Sequence, residues 1–244
     1  MSKVVNATTL GLRFVNAYNT IDHALRTQYN FKNNIAFSDL VRRCSSLNMV
    51  VRTYEDDLID LARLRNAIIH NKSERIIAEP HVEVVELMEK IARLVSTPPL
   101  AIEAIRSGDV ATIASGFTIR DLMITTGKVG FSNVPIYKGT NLIGVMRWRK
   151  LVEVLASDVI AQGGSIDAFI ESTTLEDFLY RYPCNAHFAI TSENITIEEV
   201  LNLFNRNRKL ACIIIAPGGS VSAMPRGIIT GADVMDLMKV LEDY

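Results

Sequence analysis

The sequence predicts an α+β protein in which an N-terminal four-helix bundle is followed by two tandem βαββα units. Apolar residues recur at helical spacing up to residue 96, and short β-branched runs alternate with helical stretches after it. A strand, turn, strand and helix pattern then occurs twice. "STPPL", residues 96–100, separates the two parts because adjacent prolines cannot continue a helix. We therefore expect domains at 1–96 and 97–244.

Four helices are expected in the first domain. The second begins near Ser38 as N-cap, the third runs from about Tyr54 to His70 with acids in its first turn, and Pro80 opens the fourth. "NFKNN" breaks the chain after the first helix. The apolar face of that first helix consists of Leu10, Phe14, Ala17, Ile21 and Leu25.

The second domain contains an internal repeat. "VPIYKGTNLIGVM" reads as two strands before the helix "WRKLVEVLA", and "ACIIIAPGGSVSAMPRGIIT" reads as two strands before the helix "ADVMDLMKVLE". A further helix precedes each pair of strands, "TIRDLMITTG" in the first copy and "TIEEVLNLFNRN" in the second. The period of roughly 80 residues is too long for a solenoid. We expect the copies at about 97–165 and 166–244.

Composition excludes several classes of protein. The net charge of −1 gives no bulk basic field for nucleic acid, so any contact with RNA depends on a local patch. The densest apolar run, residues 210–216, is too short to span a bilayer and reads as a buried strand. The histidines show no metal-ligand spacing. Three scattered cysteines suit a reducing cytosol, so we expect a cytoplasmic protein without a metal; they are Cys44, Cys184 and Cys212.

The two copies, on the repeated segments quoted above, resemble a tandem pair of cystathionine-β-synthase (CBS) domains, called a Bateman module. The resemblance covers about residues 96–244. It implies that clefts between the copies bind adenine nucleotides, S-adenosylmethionine or cyclic dinucleotides. We therefore expect an adenine nucleotide as regulatory ligand, without distinguishing ATP, ADP, AMP and a cyclic dinucleotide.

"GIITGAD" in the second copy meets the ligand motif of that family in full. Gly227 and Ile228 come first, Thr230 supplies a hydroxyl near a helix start that favours phosphate, and Asp233 is placed to bind a ribose diol. The alternative is an ordinary capped helix, because Thr at the N-cap and Asp at the third helical position stabilise any helix start.

The first copy departs from the motif. It reads "GVMRWRK", so Arg147 replaces the hydroxyl and Lys150 replaces the carboxylate. These cations, together with Arg149, stand where a helix begins, although cations oppose the helix dipole at that end. A multi-anionic ligand explains them, and so does a solvated basic turn or a salt bridge to an acid elsewhere.

The first domain resembles a HEPN domain, a four-helix family that includes metal-independent ribonucleases. "RNAIIH" meets the family motif at Arg65, Asn66 and His70. The resemblance implies that His70 is a general acid or base, that Arg65 stabilises the phosphorane and that Asn66 orients His70 or the phosphate, with the 2′-hydroxyl of single-stranded RNA as nucleophile. Arg65 and His70 lie about 140° apart on a helix, so they meet one phosphate only by a long reach or through a second subunit, and the resemblance implies a homodimer with a composite cleft.

Two functions remain open at this point. The first is a nucleotide-controlled endoribonuclease. The alternative is a non-catalytic adenine-nucleotide sensor whose helical domain dimerises or docks a partner. Arg65 also falls within the apolar stripe of its helix, so it requires either an acid inside the bundle or a dimer seam.

Overall fold

The computed structural model describes residues 9–70, 75–105, 110–127, 130 and 132–244. The chain forms two compact units. The helical unit comprises Met1–Pro99, Thr196–Glu198 and Lys239–Tyr244, and the sheet unit comprises Leu100–Ile195 and Glu199–Met238.

The described part of residues 1–99 holds five helices and one small hairpin. The helices are α1 (Leu10–Tyr29), α2 (Phe37–Cys44), α3 (Met49–Thr53), α4 (Glu55–Ile68) and α5 (Val82–Ser96). Strands β1 (Ile69–His70) and β2 (Arg75–Ile76) pair antiparallel between α4 and α5. Completely buried side chains from all five helices make the core, among them Phe14, Ile21, Leu25, Leu40, Val51, Leu58 and Met88.

The ends of α1 follow from local chemistry. The hydroxyl of Thr9 accepts a hydrogen bond from the Leu12 amide at 3.3 Å, which satisfies one of the free N–H groups of the first turn. Asn30 ends the helix in the left-handed conformation, with φ 53° and ψ 44°. Asparagine tolerates that conformation better than most residues, so the predicted break at "NFKNN" is confirmed.

Several predicted boundaries of the helical unit are wrong. A fifth helix, α3, precedes α4 because buried Asn48 caps it, accepting from the Val51 amide at 2.8 Å. The predicted N-cap Ser38 lies inside α2, whose N-cap is Ala36, and α5 begins after His81 rather than at Pro80.

The third predicted helix also ends earlier than expected. Ile69 has extended backbone, with φ −99° and ψ 124°, so α4 stops at Ile68 and His70 lies in β1. Two consecutive β-branched residues favour this switch from helix to strand. The prediction that His70 lies on the same helix as Arg65, about 140° away around it, is therefore wrong.

The second half of the chain contains two βαββα repeats, and the mixed α+β class is confirmed. Its elements in chain order are α6 (Ala101–Ala104), β3 (Ile113–Ala114), α7 (Ile119–Gly127), β4 (Asn133–Lys138), β5 (Asn141–Arg147), α8 (Trp148–Val154), α9 (Ile166–Ser172), α10 (Leu175–Arg181), β6 (Phe188–Thr191), α11 (Ile197–Arg206), β7 (Cys212–Ile215), β8 (Gly227–Thr230) and α12 (Val234–Asp243). Short helices α9 and α10, between the repeats, were not predicted.

The two sheets share one topology. Their strand orders are β3-β4-β5 and β6-β7-β8, and in each sheet the first pair is parallel and the second antiparallel. Gly139, with φ +61°, makes the tight turn between β4 and β5. All four residues of β7 are buried, as the apolar run predicted, and burial raises the pKa of the Cys212 thiol to about 12.

Candidate functional site

A basic cleft of about 440 Å³ lies in the sheet unit where the two βαββα repeats meet. Its described lining contains five lysine and arginine side chains, one histidine and one carboxylate. The lining residues are Arg147, Arg149, Lys150, Glu153, Pro183, Cys184, His187, Arg208, Lys209 and Leu210. With His187 counted as neutral, these side chains carry four net positive charges.

Three segments supply this lining. The end of β5 and the first turn of α8 bring Arg147, Arg149 and Lys150, and the linker from α10 to β6 brings Cys184 and His187. The turn between α11 and β7 brings residues 208–210. Both residues predicted from the departing motif, Arg147 and Lys150, therefore line the cleft together. His187, Arg208 and Lys209 were not predicted, since their approach to α8 is long-range.

Lys150 is held in place by an aromatic ring. Its Nζ lies 5.7 Å from the centroid of the Tyr182 ring, a cation–π contact. The Tyr182 hydroxyl donates to Asp158, which lies in a π-helical turn, Leu155–Ile160, that continues α8. Hydrogen bonds from Ser157 and Tyr182 lower the pKa of Asp158, so this carboxylate stays ionised and keeps the ring oriented.

The other side of the cleft is ordered by the backbone. Nδ1 of His187 lies 3.0 Å from the carbonyl oxygen of Lys209, a distance that requires Nδ1 to be the protonated nitrogen. Burial raises the pKa of the Cys184 thiol, although the charges of Arg147 and Lys150 act in the opposite direction. The Cys184 thiol is therefore uncharged at pH 7, where it forms part of the lining of the cleft.

The second predicted site, at the junction of β8 and α12, has a different geometry. Oδ2 of Asp233 accepts hydrogen bonds from the amide of Thr230 at 2.7 Å and from its hydroxyl at 2.9 Å. The Thr230 hydroxyl in turn accepts from the Ala232 amide at 3.3 Å. Thr230 was predicted as the N-cap of α12, but it is the last residue of β8, and the helix begins at Val234.

The same threonine–aspartate arrangement occurs before α7, where no ligand was predicted. Oδ2 of Asp121 accepts from the Thr118 amide at 2.9 Å and from its hydroxyl at 2.8 Å. The bonds from Thr230 to Asp233 therefore do not by themselves indicate a ligand, and a ligand role of Asp233 stays a prediction.

The glycines of the two motifs are approached by the protein itself. A Cβ on Gly227 would lie 2.5 Å from Cδ1 of Ile105 and 3.0 Å from Cδ1 of Ile102, while a Cβ on Gly144 would lie 3.0 Å from Cδ1 of Leu179. The segment before each repeat thus packs on the glycine strand of the other repeat. Ile228, next to Gly227, is half-buried against the shared cluster of Val145, Cys212 and Ile214.

This packing of each preceding segment on the other repeat explains which segments line the basic cleft. The basic cleft combines the β5–α8 junction with the linker before β6. In the other arrangement, the segments before β3 and before β4 include residues 106–109, 128–129 and 131, which lie outside the described part of the chain.

The "RNAIIH" motif is divided between a helix and a strand. Arg65 is half-buried in α4, with its Cζ 5.5 Å from the centroid of the Tyr18 ring. Its Nε is buried and has no hydrogen-bond partner among the residues that the structure describes, so no internal acid satisfies this atom. Asn66 is exposed. The backbone of His70 pairs with Arg75 in the hairpin, and its side chain lies outside what the structure describes.

The residues that the structure describes contain neither a metal-binding group nor a membrane-spanning helix. Within the described ranges, no group of three or more histidine, cysteine, aspartate or glutamate side chains is arranged to hold a metal ion. Over the same ranges, no helix combines the length and apolar character needed to cross a membrane.

No protein-family model matches the chain, and no curated protein matches it. The solved structures similar to it include CBS-domain proteins. A signal-transduction protein with CBS domains from Burkholderia ambifaria MC40-6 is 18% identical, with a TM-score of 0.41 over 57% of this chain and 89% of its own. The CBS domain of a bacterial CNNM/CorC family Mg²⁺ transporter in complex with ATP is 20% identical, with a TM-score of 0.44 over 63% and 95%.

A third similar structure is a CBS-domain pair in complex with 5′-methylthioadenosine and S-adenosyl-L-methionine. It is 13% identical, with a TM-score of 0.39 over 60% of this chain and 98% of its own. Because all three TM-scores lie below 0.5, these likenesses carry no inference about the ligand of this chain.

Proposed function

We propose that the chain is a regulatory protein whose sheet unit binds an adenine nucleotide, with the phosphate groups of the nucleotide held in the basic cleft. The observation that carries this proposal is the lining of the cleft, where five lysine and arginine side chains face one carboxylate. Guanidinium and ammonium groups form charge-assisted hydrogen bonds with phosphate oxygens, and arginine does so in a two-pronged geometry.

The proposal assigns different roles to the two motifs. Lys150 stands where the family motif has the ribose-binding acid, so the basic cleft recognises the phosphate end of a ligand. Asp233 keeps that acid, and both bonds from Thr230 reach its Oδ2, so Oδ1 is the oxygen proposed to accept from ribose hydroxyls. The adenine preference comes from the resemblance to CBS pairs.

For the helical unit we propose a non-catalytic role, in self-association or in docking a partner that responds to the nucleotide. The observation that favours this over ribonuclease activity is the position of Arg65. Its guanidinium lies over Tyr18 and its Nε is buried, whereas an arginine that stabilises a phosphorane must present its donors to the substrate.

Isothermal titration with ATP, ADP, AMP and cyclic di-AMP tests the nucleotide site. We expect ATP to bind and the double variant Arg147→Ser/Lys150→Ser to weaken it about 10- to 100-fold, because two charge-assisted contacts are lost. Arg120→Ser is the matched control, since Arg120 is an exposed arginine paired with Glu171 at 3.0 Å and is not among the residues that line the cleft. Unchanged ATP affinity in the double variant would contradict the proposal.

The role of the helical unit has its own test. Light scattering with and without ATP measures self-association, and a fluorescent single-stranded RNA in EDTA measures cleavage. We expect no cleavage. A product ending in a 2′,3′-cyclic phosphate that disappears both with a 2′-deoxy substrate and in His70→Ala would restore the ribonuclease hypothesis.

A further inference from the structure

The basic cleft contains an acid of its own. Glu153 lies on α8 with the cations that it contacts: its Oε1 accepts from Nε of Arg149 at 3.2 Å, and its Oε2 lies 3.9 Å from Nζ of Lys150. Among the described residues that line the cleft, it is the one carboxylate. An anionic ligand that enters the cleft must therefore compete with Glu153 for two of the five lysine and arginine side chains, Arg149 and Lys150.

These ion pairs are weak enough to exchange. The side chains of Arg149 and Glu153 are 82% and 52% exposed, so water and salt screen their attraction. Lys150 is 34% exposed and is also held by Tyr182, so it stays in the cleft whether or not Glu153 contacts it. A ligand phosphate can consequently replace the Glu153 carboxylate at Arg149 and Lys150 while Lys150 keeps its position in the cleft.

We propose that Glu153 is an affinity-limiting residue, an internal competitor for phosphate that keeps binding of polyphosphates to the basic cleft weak and reversible. This inference rests on the proposed function, since it concerns the same cleft. Glu153 repels each negative charge of a ligand, and this repulsion grows with the number of phosphates. Its carboxylate therefore reduces affinity for a triphosphate more than affinity for a monophosphate.

The test compares Glu153→Gln with the unaltered chain, using inorganic tripolyphosphate, orthophosphate and ATP as titrants. We expect Glu153→Gln to bind tripolyphosphate and ATP about 10-fold more tightly and orthophosphate about 2-fold more tightly at low salt. The gain should shrink at high salt because the interaction is screened.

Two variants serve as controls. Glu171→Gln removes a carboxylate of similar exposure that pairs with Arg120, and it should leave all affinities unchanged. Glu153→Asp keeps the charge and should remain near the unaltered chain.

The outcomes separate this inference from the nucleotide proposal. Equal or weaker binding of tripolyphosphate by Glu153→Gln, or no binding of it by either protein, would overturn the role of Glu153. If tripolyphosphate binds with the expected gain while ATP binds to neither protein, the nucleotide proposal fails and the role of Glu153 stands. If ATP binds and Glu153→Gln has no effect, the reverse holds.

Discussion

Arg13 of α1 forms a bidentate salt bridge with Glu89 of α5. Nε donates to Oε1 at 2.8 Å and Nη2 donates to Oε2 at 2.7 Å. The two side chains are 36% and 29% exposed, so the pair is neither fully solvated nor fully buried. Side-by-side hydrogen bonds of this kind fix orientation as well as charge. The pair therefore sets how α1 lies along α5 in the helical unit.

This pair predicts a pH dependence of stability. The hydrogen bonds from Arg13 lower the pKa of Glu89, so the stability it contributes is present above the unfolded-state pKa and is lost as pH falls through the folded-state value. We expect Arg13→Met to lower the free energy of unfolding at pH 7 and to lower it less at pH 3, where Glu89 is more protonated. Urea unfolding at both pH values measures this difference, and an equal cost at both would show that the ion pair is not its source.

Asp233 and Asp121 form a matched pair for separating capping from ligand binding. Each accepts two hydrogen bonds from a threonine three residues earlier. We expect Asp233→Ala and Asp121→Ala each to lower stability, because each removes the carboxylate that accepts from the amide and hydroxyl of a threonine near a helix start. Only Asp233→Ala should also weaken ATP binding, by roughly 1–3 kcal/mol. Calorimetry that finds the same affinity in both variants would remove Asp233 from the ligand site.

Gly227 predicts a packing conflict that a second substitution relieves. An added Cβ meets the flexible end of Ile105 at 2.5 Å, so Gly227→Ala should cost about 1–2 kcal/mol. Ile105→Val removes that methyl group and should recover most of the loss in the double variant. A double-mutant cycle by thermal unfolding measures the coupling, and additive effects would mean that the two residues do not touch.

Arg65 and Arg26 are both half-buried, but we expect their substitution by methionine to affect stability differently. Arg65 has a buried Nε without a partner, whereas Arg26 donates to both carboxylate oxygens of Asp22 and to the carbonyls of Lys32 and Ile35. We expect Arg65→Met to leave stability unchanged or raise it by up to about 1 kcal/mol, because a desolvated donor is removed. Arg26→Met should cost about 1–3 kcal/mol. Chemical denaturation of both variants measures these changes, and a large loss with Arg65→Met would mean that the contact of its guanidinium with Tyr18 outweighs the cost of the unpaired Nε.

Features of the fold that depend on neighbouring residues were predictable from the sequence. The end of α1 at Asn30 and the buried strand β7 follow from the left-handed tolerance of asparagine and from a β-branched run. The start of α4 after Tyr54 was also predicted, but the short helix α3 before it was missed, because neither glycine nor proline separates the two helices. Its N-cap, Asn48, was not predicted.

The candidate site was only half predictable for a similar reason. Arg147 and Lys150 were identified because they depart from a motif within one segment. Arg208 and His187 join them through the packing of two repeats, and no spacing along the sequence records which loops meet. The partner of Arg65 was missed in the same way, since its contact with Tyr18 joins α4 to α1.

The packing of each preceding segment on the glycine strand of the other repeat, at Gly144 and Gly227, affects how the sheet unit unfolds. Leu179 and Ile105 each cover a strand of the opposite repeat, so a repeat that unfolds uncovers its neighbour's glycine strand as well. Local opening of one repeat alone is then costly, and the two should melt in a single cooperative transition. In hydrogen exchange, the amides of β5 and β8 should exchange with the same opening free energy.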